Sequence, residues 1–94
     1  MQHHFSIGIQ EKHNVSIYFE QFFGKFEIRV DNWPAVSKWL IFGFGLTRTF
    51  DLWVGIQEKH FLRVEKTRPL FFPAFQPHTY RIYIDGILVQ QFDA

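Results

Sequence analysis

Cysteine is absent from the 94-residue chain, so neither a disulfide framework nor a thiolate metal site holds it together. That absence suits a reducing compartment. Surplus charge of either sign is lacking too: ten Lys and Arg stand against nine Asp and Glu, for a formal net charge of +1. So balanced a chain has no long-range field to gather nucleic acid or an anionic membrane. Long apolar runs are missing as well. The longest, Trp39 to Leu46, has eight residues including two glycines, and a membrane helix needs roughly 20. The opening Met1-Gln2-His3-His4-Phe5 has neither the basic start nor the apolar stretch of a secretory leader. The expectation is a soluble, cytoplasmic protein with no membrane or nucleic-acid partner.

What the chain does have is rings. Hydrophobic residues make up 47% and aromatics 20%, with thirteen Phe and three Trp. A chain this short fits one domain, residues 1–94, and must pack a dense apolar core to be stable. It also repeats itself. Gly8-Ile9-Gln10-Glu11-Lys12-His13 returns unchanged as Gly55-Ile56-Gln57-Glu58-Lys59-His60. The match continues weakly, Val15 and Ile17 falling on Leu62 and Val64, and Phe26 to Asn32 aligning with Tyr80 to Gly86. Two copies are too few for a solenoid, so two half-repeats, about residues 5–46 and 52–94, should share one core.

Within each half the apolar period is two. Val15, Ile17 and Phe19 alternate with Ser16, Tyr18 and Glu20; Phe50, Leu52 and Val54 alternate with Asp51 and Trp53. These β-branched and aromatic runs suit a pleated, half-buried surface. Asp85-Gly86 is a two-residue hairpin signal, because such a turn needs positive φ at both central positions. About eight short antiparallel strands follow, near 5–9, 13–20, 25–31, 38–44, 48–55, 60–66, 79–85 and 87–93, with a helical turn an alternative within 33–39. The fold class is all-β, an antiparallel β-sandwich or a small barrel. Each hexapeptide reads as a turn with Gln-Glu-Lys at its tip.

His13-x-Val15-x-Ile17-x-Phe19-Glu20, the Gly24-Lys25 turn and Ile28-x-Val30-Asp31 resemble the start of the Fas apoptotic inhibitory molecule (FAIM) domain. Tyr80 to Val89 resembles that domain's closing hairpin, so the similarity spans roughly residues 13–90. Asn32 stands where the family pattern favours Gly, and the proline-rich stretch 69–77 departs from it. The resemblance implies a compact antiparallel sandwich without catalytic residues, of a family that in animals acts in death-receptor signalling and protection against protein aggregation.

Three groups of residues invite a functional reading. Glu11 with His13, and Glu58 with His60, have the alternating spacing that puts Glu and His on one side of an extended chain. If the halves pack about a pseudo-two-fold axis, the pairs can meet as a metal or ligand site; the competing reading is solvated turn residues, with no metal or other cofactor. Tyr18, Arg29, Trp53, Arg63, Arg81 and Tyr83 take the outward phase of the strands, where rings among arginines either anchor a partner or pair across strands. Leu70, Phe71, Phe72 and Phe75 sit among prolines in a loop, either closing the core or forming an interface with a protein partner or a second copy. No serine has a nucleophile-elbow setting and no glycine-rich phosphate loop precedes a helix. The expectation is a non-enzymatic interaction domain, with a homodimer as one form.

Overall fold

The structure is a computed structural model that describes residues 1–20, 23–40, 47–69 and 76–94. All regular structure among them is strand, and no helix is long and apolar enough to cross a membrane. Eight strands run β1 (Gln2–Ile7), β2 (His13–Glu20), β3 (Lys25–Val30), β4 (Trp33–Trp39), β5 (Thr47–Val54), β6 (His60–Thr67), β7 (Thr79–Ile84) and β8 (Ile87–Asp93). They form two antiparallel four-stranded sheets, β1-β2-β3-β4 and β5-β6-β7-β8, each strand pairing with its neighbour in sequence. Every strand hydrogen bond thus stays within one half of the chain.

The alternation read from the sequence fixes which face is buried. Val15, Ile17, Phe26 and Ile28 of the first sheet, and Leu62, Val64, Tyr80 and Ile82 of the second, are fully enclosed in one shared core. Each buried aliphatic or phenyl side chain contributes about 1.5–3 kcal/mol. Phe26 of β3 stacks on Phe50 of β5 at 4.3 Å, so β5 lies across the β3–β4 side of the first sheet. His3 of β1 packs against Phe92 of β8, ring centroids 4.2 Å apart and planes tilted by 33°, and meets the Gln90 side chain at 2.6 Å. The two sheets therefore bury one shared core, with β1 beside β8 on one flank.

The halves match strand for strand. Asp31 and Asn32 have φ of 51° and 67°, and Asp85 and Gly86 have 51° and 81°, which are the paired positive values of a two-residue hairpin. The fourth strand of each half then carries a bulge at the same place. Arg29 pairs with Pro34 and Ile28 with Val36, leaving Ala35 over; Tyr83 pairs with Leu88 and Ile82 with Gln90, leaving Val89 over.

The fourth strand is Trp33–Trp39, earlier than the expected 38–44, whose residues 41–44 lie outside the described ones, and the helical alternative within 33–39 is corrected to strand. Pro34 is tolerated because β4 is an edge of its sheet, where a missing N–H costs no ladder bond. The first strand likewise begins earlier than expected, at Gln2, and ends at Ile7. Proline, the bulge and Lys38 also make β4 a poor template for pairing with another chain.

Candidate functional site

The two hexapeptide loops meet. Each links the first and second strands of its sheet, and each turns on a glycine, Gly8 at φ +103° and Gly55 at φ +108°. A side chain at either would strike the backbone oxygen three residues on, at 2.0 Å from the new Cβ, so only glycine fits. The turn lines up three successive backbone N–H groups, a concavity suited to an anion.

The anion comes from the other half. Glu58 Oε2 accepts from the Ile9 amide at 2.7 Å, and Glu58 Oε1 from Gln10 at 2.6 Å and Glu11 at 3.1 Å. Reciprocally, Glu11 accepts from Ile56 at 2.6 Å, Gln57 at 2.8 Å and Glu58 at 3.5 Å. Each carboxylate also accepts from the histidine of its own loop, His13 Nε2 to Glu11 at 2.6 Å and His60 Nε2 to Glu58 at 2.5 Å. The other ring nitrogen reaches a hairpin aspartate, His13 Nδ1 to Asp31 at 2.5 Å and His60 Nδ1 to Asp85 at 2.6 Å. Those aspartates in turn accept from the Asn14 and Phe61 amides at 2.9 Å.

Ionised carboxylates only accept, so a histidine between two of them carries a proton on each nitrogen. The charges move accordingly. Glu11 is held down at about 2, first by His13 and then by the Gln57 and Ile56 amides; Glu58 is held at about 2 by His60 and the Ile9, Gln10 and Glu11 amides. His13 is raised above its ordinary value by Asp31 and then Glu11, and His60 by Glu58 and then Asp85. Asp31 and Asp85 are lowered by the histidines they accept from.

Glu11, His13, Glu58 and His60 are thus brought together, the arrangement that pseudo-two-fold packing of the halves allows, but their polar atoms are already engaged. Both nitrogens of each ring are donors, which leaves no lone pair for a metal or for a substrate proton. Among the described residues no group of three or more His, Asp or Glu side chains is arranged to hold a metal ion. Reading the hexapeptides as solvated turns was half right: they are turns, and their glutamates plug the opposite loop. Asp31 and Asp85 went unassigned in sequence, although the repeat alignment put them at equivalent positions.

The aromatic and basic residues expected on one outward face divide between two. Tyr18 and Arg29 lie on the outside of the first sheet, Trp53, Arg63, Arg81 and Tyr83 on the outside of the second. The first sheet exposes Tyr18 and, on its edge strand, Trp33 and Trp39; the second gathers its rings on β5, β6 and β7. Trp53, 66% exposed, packs at 5.1 Å from Phe61, and the Arg63 guanidinium lies 5.8 Å from the Phe61 ring. Asp51 holds Arg63 by two bonds, of 2.8 and 3.1 Å. Beside them a depression of about 240 Å³ is lined by Phe61, Arg63, Glu65, Tyr83 and Gly86. The first sheet has a hollow of about 370 Å³ in the corresponding region, lined by Gln2, His4, Ser16, Tyr18, Glu27 and Arg29 with Asn32. Leu70, Phe71, Phe72 and Phe75 lie outside the described residues.

Comparison with known proteins returns no match, whether to family models, curated sequences or solved structures.

Proposed function

We propose that the chain is a non-enzymatic, FAIM-like β-sandwich that works by protein–protein contact, with the outer face of its second sheet as the contact surface. One observation carries this reading: the twin half serves as an internal control. The duplication aligns Trp53 with Ser6, Phe61 with Asn14, Arg63 with Ser16 and Tyr83 with Arg29. The first sheet closes with small polar residues at three of those positions, so the strands do not need rings there. Exposed Trp, Tyr and Arg around a shallow hollow are the residue types that concentrate binding energy at protein interfaces. Asp51 and Glu65 balance Arg63 and Arg81, which favours an uncharged or mixed-charge partner over a polyanion.

Replacing the face by the residues of its twin tests this directly. The triple variant Trp53→Ser, Phe61→Asn, Arg63→Ser should fold with a Tm within a few degrees of the parent. Peptides selected on the parent from a random display library should converge on a common motif and bind the variant at least tenfold more weakly. Peptides that bind both equally, or no convergent selection, would remove this face as the contact surface. Sedimentation of the parent across concentration shows whether a second copy is the partner; self-association that the triple variant abolishes would make it so.

A further inference from the structure

We infer that the sandwich is a fused pseudo-dimer whose halves can be exchanged between chains, so that two copies form a dimer in which Glu11 of one copy plugs the 55–58 loop of the other. The observation behind it is the reciprocal clasp, independent of the aromatic face. Both loops have the same sequence, the same glycine turn and the same reach, and each offers a carboxylate and three amides. A loop therefore recognises its complement by a chemistry that does not distinguish its own chain from another.

Among the described residues no backbone-to-backbone hydrogen bond joins one half to the other. All strand pairing is internal to a half, as are the turn bonds such as Asp31 to Asn14, Asp85 to Phe61 and Leu40 to Gly24. The contacts that cross are side-chain ones: the shared core, the His3–Gln90 pair and the two carboxylate plugs. A neighbouring chain's half would restore every one of them. Exchange of identical elements is a low-cost route to a dimer when no strand must unpair.

Connection length decides the balance. Residues 40–46 join the halves, and so short a link gives an effective concentration on the order of millimolar. Intrachain closure wins in dilute solution, and exchange needs the core to open, so an exchanged dimer once formed should be slow to part. That slowness separates it from a dimer formed through the outer face.

The experiment refolds the full chain from guanidinium at about 1 μM, far below the effective concentration, and at about 1 mM, comparable with it. Both samples are then diluted to the same low concentration for sedimentation velocity. The expected result is monomer from the first and a persistent dimer from the second, with the same circular dichroism. A parallel mixture of Gln10→Cys and Gln57→Cys chains, labelled as donor and acceptor at these exposed positions, should show energy transfer only after co-refolding at the high concentration. Monomer alone in both samples overturns the inference. So does a dimer that forms without unfolding and dissociates promptly on dilution, or one whose labels show no transfer.

Discussion

Gly55→Ala should be among the most damaging single changes outside the core. The new Cβ would stand 2.0 Å from the Glu58 backbone oxygen and 3.0 Å from Glu11 Oε2, on a residue whose φ is +108°. A non-glycine residue in such a conformation costs about 1–3 kcal/mol by itself. The overlap with the carbonyl cannot be relieved by a rotamer, so the loop must move and its amides lose Glu11. We expect a total of about 4 kcal/mol, which for a domain of this size is a fall in Tm on the order of 20 °C. Gly86→Ala is the matched control. Its Cβ would meet nothing within 4 Å, and only the left-handed φ of +81° is strained, at about 1–2 kcal/mol. Thermal and urea unfolding of both variants gives the comparison. Adding Glu11→Gln to Gly55→Ala should then cost little more, because the partner amides are already displaced. Equal destabilisation of the two glycine variants, within about 1 kcal/mol, would refute the claim that the tight turn onto the Glu58 carbonyl is what requires Gly55.

Stability should peak in mildly acid solution. His13 and His60 are raised above 6.5, so their contribution is complete below that value and is lost as pH rises through the folded-state pKa. Glu11 and Glu58 drop from 4.5 to about 2, so theirs is present above 4.5 and lost as pH falls toward 2. Calorimetry across pH should give the highest Tm between those limits, and the double variant His13→Asn, His60→Asn should flatten the alkaline limb. Lys66, 4% exposed with its ammonium 4.0 Å from the Phe19 ring, is lowered to about 8 by burial and then by Arg68 and Arg48. Its twin position holds Phe19 itself, so Lys66→Met should raise stability at neutral pH, by up to about 3 kcal/mol, and the gain should vanish as pH climbs through 8 to 10.5. Tyr80 is fully buried and its hydroxyl has no hydrogen-bond partner among the described residues. Tyr80→Phe should therefore leave Tm unchanged or raise it by up to about 1 kcal/mol in equivalent stability, and a loss of more than that would reveal a partner for the hydroxyl.

Period-two patterning made most of the fold legible, because a strand half buried in a sandwich has to alternate. Lys66 shares the inward phase of Leu62 and Val64, but its charge kept it from being counted with them. The pattern failed at β4, where every residue but Val36 is exposed and no alternation survives, and where Asp31-Asn32 turns the chain without the glycine that marks Asp85-Gly86. The candidate site was half legible for a different reason. A repeated hexapeptide marks a duplication, but the partners of Glu11 are backbone amides 45 to 47 residues away, and amides leave no signature in residue type. The outward aromatic residues were visible one by one. Their division between two sheets follows from strand order, which only the fold supplies.

The central claim is that the two halves are joined by an exchange of carboxylates between identical loops. Carbon-13 titration of the Glu11 and Glu58 side-chain carboxyl groups by NMR tests it most directly. Both should titrate together near 2, with the amide protons of Ile9, Gln10, Ile56 and Gln57 shifting over the same range. Midpoints near the ordinary 4.5, with those amides unmoved, would mean that the glutamates face water and the clasp does not exist.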